Sequence, residues 1–240
     1  MHPPRLPEYA ALFLDFDGVL VDIAARPDAT VVPPALPRLL ARLYDRQGGA
    51  VALISGRFVA DLRKFLPDFP GLIAGSHGAE LARGENVTTA IGGDLDAAAM
   101  HEAAYRLAEG HDAILIETKP LGVAMHFRAD PSLEEVVKAS MQQLTELFPG
   151  TKLQPAKMAI ELQPDGVGKG GALALLMDEP PFTGRVPVYA GDDLTDEPAM
   201  AEAQSRGGFA IKIGEGESVA DYRLAGPAEM AAWLDSAFQP

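Results

Sequence analysis

The chain has 240 residues, 48% of them hydrophobic, which is ample for a real core in one large domain or two modest ones. A formal net charge of -14 and a pI near 4.7 argue against wrapping a nucleic-acid backbone or lying on an anionic membrane surface, since both need clustered Lys and Arg. The absence of cysteine excludes disulfides, thiolate metal sites and a cysteine nucleophile; with no run of about 18 apolar residues and no signal-peptide pattern in Met1-His2-Pro3-Pro4-Arg5, a cytoplasmic monomer is expected.

The apolar run Ala11 to Leu14 closes on Asp15 and Asp17, and Gly18 permits a sharp exit. Strand residues two apart point to the same side, so the two carboxylates can converge on one site. A buried strand that merely ends on acidic residues explains the same letters. Pro33-Pro34 opens a helix through about Arg46, with Leu36, Leu39, Leu40 and Leu43 as its apolar face. Ala50 to Ile54 reads as a second strand, Ser55-Gly56-Arg57 opens a helix carrying Val59, Leu62 and Phe65-Leu66, and Leu72 to Gly75 reads as a third strand ahead of Ser76-His77-Gly78-Ala79-Glu80. The βαβαβ order predicts a parallel sheet.

From about Gly84 the texture changes. Gly92-Gly93 precedes an alanine-rich helix from Leu95 to Glu109; Ala113 to Lys119 and Gly122 to Arg128, joined by Pro120-Leu121, read as an antiparallel pair. Pro131 opens a helix to Phe148, and Lys152 to Gln154 and Met158 to Gln163 flank a Pro155-Ala156 turn. The parallel pattern then resumes with a helix from Lys169 to Met177, strands Val186 to Ala190 and Phe209 to Ile213, and a final helix from Pro227 to Phe238. The expected fold class is α/β: a Rossmann-like parallel-sheet core in two pieces, residues 1–84 and 165–240, with an inserted α+β cap of residues 85–164.

Four strand or helix boundaries bring polar groups to one edge of that core: Asp15 and Asp17, then Ser55, then Lys169, then Asp192, Asp193 and Asp196. Singly, Ser55 is a helix N-cap, Lys169 a solvated charge, and Asp192 or Asp193 a cap with Pro198 inside the helix start. Together, carboxylates crowded at one edge would repel one another, and a hard divalent ion with oxygen ligands removes the conflict, which favours Mg2+.

Asp15-Phe16-Asp17-Gly18-Val19, Ser55-Gly56-Arg57, Lys169 and Gly191-Asp192-Asp193 resemble the four ordered motifs of haloacid dehalogenase (HAD) superfamily phosphatases. Gly75 to Glu80, Glu117-Thr118-Lys119, His126-Phe127-Arg128, Glu161 to Pro164 and Asp192 to Glu197 further resemble the trehalose-6-phosphate phosphatases, a similarity over nearly the whole chain that brings a type C2B cap with it. Val19 departs from the superfamily's usual threonine, a change expected to tune activity.

The resemblance implies a Mg2+-dependent phosphatase acting on trehalose 6-phosphate. Asp15 is the implied nucleophile, Asp17 the implied acid and base, and Ser55 and Lys169 the implied partners of the phosphoryl group. Asp15, the Asp17 carbonyl and Asp192, with Asp193 and Asp196 nearby or acting through water, are the implied metal site. In the cap, which would close over the sugar, Glu117, Lys119 and Glu161 are the implied sugar contacts, to which Arg57, His77, Gly78 and His126 add. A salt-bridged strand face explains Glu117 and Lys119 as well, and packing between Met125 and Phe127 explains His126. His101 and His111 carry no expected role.

Other readings fit parts of the same sequence. Sucrose, glucosylglycerol or mannosylglycerate phosphate is the alternative substrate, and a non-catalytic sugar-phosphate-binding module the alternative of another class. Gly166-Val167-Gly168-Lys169-Gly170-Gly171 satisfies a dinucleotide-binding pattern, with Asp192 about 20 residues beyond. Pro164-Asp165 separate it from the strand, however, and Asp192 belongs to a denser acidic cluster. The same lysine fails as a phosphate-binding P-loop, because Gly170 stands where Ser or Thr is required. Ser76-His77-Gly78 lacks the arginine of histidine phosphatases.

Overall fold

The computed structural model describes residues 1–24, 26–89, 95–119, 121–156, 158–166 and 168–239. The chain divides into two compact units, Met1–Ala90 with Gly168–Pro240, and Ile91–Val167.

The first unit begins with β1 (Ala10–Leu14), α1 (Leu36–Arg46), β2 (Val51–Ile54), α2 (Val59–Phe65), β3 (Leu72–Gly75), β4 (Glu80–Arg83) and β5 (Asn86–Thr89). The second holds α3 (Ala97–Leu107), β6 (Leu115–Lys119), β7 (Gly122–His126), α4 (Glu134–Leu147), β8 (Thr151–Ala156) and β9 (Ala159–Pro164). The chain then returns to the first unit with α5 (Lys169–Met177), β10 (Val186–Gly191), α6 (Glu197–Ser205), β11 (Phe209–Ile213), β12 (Tyr222–Leu224) and α7 (Pro227–Ser236).

The first unit's sheet has the order β12-β11-β10-β1-β2-β3-β4-β5. It is parallel from β12 through β3 and antiparallel across β3, β4 and β5. β1 reads as unbroken apolar sequence because both its faces are covered. Leu12 and Leu14 pack with Leu40 and Leu43 of α1 and Trp233 and Leu234 of α7, whereas Ala11 and Phe13 pack with Leu173 and Leu176 of α5 and Met200 of α6. Phe13 also stacks on Phe182 with ring centroids 5.2 Å apart.

Two expectations differ from the structure. The change in texture at Gly84 is the turn of the β4–β5 hairpin, so residues 86–89, assigned to the cap, pair with the core sheet instead. Pro155 and Ala156 form the end of β8 rather than a turn, paired with Ile160 and Ala159. Proline is tolerated there because β8 is an edge strand, where one missing N–H breaks no ladder on the open side. Gly92-Gly93 and Pro120 lie outside the described residues.

The second unit's sheet is antiparallel, in the order β6-β7-β9-β8. Alternation puts Val123, Met125, Ile160 and Leu162 on one face, where they pack with Met100 of α3 and Val137 and Met141 of α4. Glu117, Lys119, His126 and Glu161 fall on the other. Among the described residues no helix is long and apolar enough to cross a membrane.

Candidate active site

β1 lies between β10 and β2, with Leu14 in register with Ala190 on one side and Leu53 on the other. The Asp15 amide continues the ladder by donating to the Ala190 carbonyl at 3.0 Å. Three parallel strands thus end side by side where the connections diverge to opposite sides of β1, the position at which open α/β sheets bind ligands. Gly18 completes the exit from β1 at φ 71°, and a Cβ there would lie 2.1 Å from Asp192 Oδ2. The chain therefore needs glycine both for the left-handed turn and for the approach of the two acidic loops.

Lys169, the first residue of α5, is the buried hinge of the cluster. Its Nζ donates to Asp15 Oδ2 and to Asp196 Oδ1, each at 2.7 Å. Asp15 Oδ1 accepts from the Phe16 amide at 2.7 Å. Each Asp15 oxygen thus accepts from one donor and has one acceptor direction left.

Asp196 is different. Its Oδ1 also accepts from the Tyr189 hydroxyl at 2.5 Å, and its Oδ2 from the amides of Asp192 and Asp193 at 2.9 and 3.0 Å. Four donors fill both oxygens of this fully buried carboxylate. Asp196, expected beside a cation, here ties α5 to the loop after β10. Asp193 is exposed, its Oδ1 accepting from the Thr195 amide and hydroxyl at 2.8 and 2.7 Å. Lys212 of β11 is buried and donates to the Asp192 carbonyl.

Burial pushes Asp15 up to about 7 against the pull of Lys169, and the Asp196 charge adds to the rise. Partial burial and the neighbouring Asp196 and Asp193 push Asp192 to about 6. Burial opposes the charge of Lys169, but Asp15 and Asp196 outweigh it and hold the ammonium above the ordinary lysine value. Burial, then Asp196, keeps the Tyr189 phenol protonated far beyond its usual range, which suits its part as donor. Asp193 is held below the usual carboxylate value, desolvation being outweighed by Lys169 and the Thr195 donors.

One carboxylate oxygen from each of Asp15, Asp192 and Asp196 lies within 4.8 Å of the others. All are hard oxygen donors, and two of the three acids are pushed up as neighbouring charge and burial require. That donor set fits a divalent cation. With Asp196 saturated, Asp15 and Asp192 are the side chains with acceptor directions to spare.

Ser55 is buried at the end of β2, its Oγ accepting from the Arg57 amide at 3.3 Å. The Arg57 side chain turns to Asp17, with Nε to Oδ2 at 2.5 Å and Nη2 to Oδ1 at 2.7 Å. The loop after β3 lies against this segment through His77 N to Ser55 O at 2.9 Å and Ser76 N to Arg57 O at 2.8 Å. The His77 ring covers Gly56, where a Cβ would stand 2.7 Å from Cε1 and Nε2, and Gly78 packs on Ala172 of α5. The sequence-predicted residues of the first unit thus come together at one sheet edge.

Glu117, Lys119, His126 and Glu161 belong to the second unit. His126 Nε2 pairs with Glu117 Oε2 at 2.8 Å, and Lys119 pairs with Glu161. Glu117 and Glu161 flank Ala124 in one cross-strand row, so the four make a polar patch on one sheet face. His101, to which the sequence assigned no role, contacts the carbonyls of Lys119 and Gly122 at 2.9 Å each and so braces the turn between β6 and β7.

Comparison with known proteins bears directly on this arrangement. A family model described as trehalose-phosphatase matches residues 13–228, from within β1 to the start of α7. The chain belongs to the trehalose-phosphatase family. A trehalose-6-phosphate phosphatase of Escherichia coli (strain K12) is 37% identical over 234 residues, covering 97% of this chain and 88% of that protein. A probable trehalose-phosphate phosphatase of Sinorhizobium fredii is 37% identical over 207 residues, 85% of this chain and 77% of that protein.

Solved structures agree on the fold. The Aspergillus fumigatus trehalose-6-phosphate phosphatase has a TM-score of 0.78 at 23% identity, covering 96% of this chain and 92% of that one. A haloacid dehalogenase-like hydrolase from Bacteroides thetaiotaomicron has a TM-score of 0.69 at 16% identity, with 93% and 97% covered. The parallel-sheet core of this trehalose-phosphatase family member is therefore HAD-like. In this setting Lys169 is committed to Asp15 and Asp196, and the glycine pattern around it is the lead into α5 rather than a dinucleotide loop.

The sequence reading missed Tyr189, Lys212 and Thr30. A lysine inside the apolar strand Phe209–Ile213 was the available signal for Lys212. Tyr189 looked like one more apolar strand residue, and Thr30, whose hydroxyl accepts from Arg57 Nη2 at 2.7 Å, lies in a proline-rich loop without periodicity.

Proposed function

We propose that the chain hydrolyses trehalose 6-phosphate to trehalose and phosphate, using Mg2+ and passing through an aspartyl phosphate on Asp15. The observation that carries the reading is the Lys169 bridge between Asp15 and Asp196 at the end of β1, in a family whose relatives are named for this substrate.

Asp15 attacks phosphorus in line, forming the new P–O bond as the bond to the sugar oxygen breaks. One of its remaining acceptor directions serves this step, and the other would be left to hold a cation. Asp17 delivers a proton to the departing sugar oxygen. It then takes a proton from the water that attacks the aspartyl phosphate, which returns Asp15 and releases inorganic phosphate. Lys169 offsets the charge of the nucleophile and the phosphoryl group in a buried setting where that charge is poorly screened. Ser55 and neighbouring amides donate to phosphate oxygens.

The Asp15 and Asp192 carboxylates and the Asp17 carbonyl would hold Mg2+, with Asp193 nearby; when bound, the ion lets an anionic carboxylate approach an anionic phosphate. Asp196 is assigned to orienting Lys169 and the Asp192-Asp193 backbone. In the second unit the polar patch of Glu117, Lys119, His126 and Glu161 is suited to hydrogen-bond sugar hydroxyls; in the first, His77 and the Gly78 backbone are assigned as substrate contacts.

Phosphate release from a panel of sugar phosphates with Mg2+ tests the assignment. Trehalose 6-phosphate should be turned over fastest; strong activity on sucrose, glucosylglycerol or mannosylglycerate phosphate beside weak activity on the trehalose ester would sink it. Asp15→Asn should abolish turnover while preserving the fold.

A further inference from the structure

The side chain of Arg57 turns to the loop after β1. Its guanidinium forks onto both oxygens of Asp17, at 2.5 and 2.7 Å, and Nη2 also donates to Thr30 Oγ1 at 2.7 Å. The group lies 4.9 Å from the Phe65 ring centroid and 5.6 Å from that of Phe16. Its side chain is only 13% exposed, against 31% for Asp17. A planar fork held by an aromatic pair and a buried hydroxyl has a fixed direction. Asp17, by contrast, sits in the loop after β1, where no regular element fixes its side chain.

We propose that Arg57 is a positioning residue for Asp17 and not a contact for the sugar phosphate. The inference rests on the reading of Asp17 as the group that protonates the leaving sugar oxygen. Proton transfer requires one Asp17 oxygen to leave the fork and carry the proton, which then passes to the leaving oxygen. The second bond, with Thr30 bracing the guanidinium, keeps the carboxyl on its axis. A proton donor misplaced by about 1 Å loses most of its advantage.

Two substrates separate the possible roles. The sugar alkoxide is a poor leaving group that needs a proton, whereas the nitrophenolate of p-nitrophenyl phosphate leaves without one. In R57M, which keeps the apolar stem between the rings, kcat on trehalose 6-phosphate should fall by about 10²-fold, the lower range for a lost general acid. KM should stay within about twofold, and first-turnover release of nitrophenolate from p-nitrophenyl phosphate, which precedes the step that uses Asp17 as base, should be unchanged. R57K, able to restore one bond to Asp17, should recover about tenfold of the loss. T30V removes the brace and should show the same selective loss, about threefold.

A raised KM for the sugar ester at constant kcat would overturn the proposal in favour of a sugar contact, and equal losses in first-turnover release of the leaving group from both substrates in favour of a phosphate contact. If R57M does not fold, T30V decides by the same ratio of the two substrates. Wild-type protein that turns over p-nitrophenyl phosphate and another sugar phosphate, but not trehalose 6-phosphate, would overturn the substrate alone, with that sugar ester then serving in the comparison. No turnover of any phosphate ester would overturn both readings.

Discussion

At the scale of single residues, the site is organised by a carboxylate that need not touch substrate. Asp196 collects donors from Lys169, Tyr189 and two backbone amides, so the position of the Lys169 ammonium and that of the Asp192-Asp193 loop are set by one group. Tyr189→Phe removes one of those donors without changing volume. It should lower kcat by about tenfold, the lower end for an outer partner of a metal or catalytic site, and leave KM near its wild-type value. Steady-state kinetics checks this, and an unchanged kcat would show that the remaining three donors suffice. Gly18→Ala meets two obstacles, a φ of 71° and Asp192 Oδ2 at 2.1 Å. It should weaken Mg2+ binding and cost about 1 kcal/mol or more of stability, readable by calorimetric titration and denaturant unfolding.

At the scale of elements, the loop between β3 and β4 carries strain that a single side chain offsets. Ser76 and His77 both adopt positive φ, 50° and 57°, where non-glycine residues cost on the order of 1–3 kcal/mol each. Glu80 Oε2 accepts from the Ser76 hydroxyl at 3.1 Å and from the Val59 amide at 2.9 Å. One carboxylate therefore pins the strained turn and satisfies the first amide of α2, whose N-cap residue Phe58 has no capping side chain. Glu80→Ala should lower stability by about 1–2 kcal/mol, as lost caps do, and raise KM for the sugar phosphate as His77 loses its fixed place over Gly56. An unchanged melting curve would show that backbone bonds alone hold the turn.

At the scale of the whole molecule, part of the chain's acidity gathers into a local charge problem at the core edge. Asp15 and Asp192 are raised to about 7 and about 6 from an ordinary 3.8, so in the cation-free fold each binds its proton at higher pH than in the unfolded chain. The unfolded state then holds fewer protons between about pH 4 and 7, and the cation-free fold loses stability as pH rises through that window. A divalent ion needs both groups ionised, so it competes with those protons at low pH and meets ionised ligands at high pH. The rise in Tm on adding Mg2+ should accordingly be larger at pH 8 than at pH 5.5 in differential scanning fluorimetry. A larger rise at pH 5.5 would remove Asp15 and Asp192 from the ligand set.

The sequence by itself determined the order of the core's elements and which polar residues stand at their ends. An apolar strand ending in Asp15 and Asp17, a polar end at Ser55, a helix opening on Lys169 and the acidic run after Ala190 are all local patterns, and strand periodicity dictates which side chains share a side. Glu117, Lys119, His126 and Glu161 were singled out by the resemblance, and strand pairing puts them on one face. Tertiary structure decided the pairings. That Arg57 turns to Asp17 and that Lys169 bridges Asp15 and Asp196 depend on hydrogen bonds between segments far apart in the chain, whereas the other donors to Asp196 and the hairpin of residues 86–89 are local bonds of turns that strand and helix periodicity does not register. The distant partners bridge up to 154 residues in the case of Lys169 and Asp15, and neither propensity nor periodicity encodes which distant donor a buried carboxylate will find.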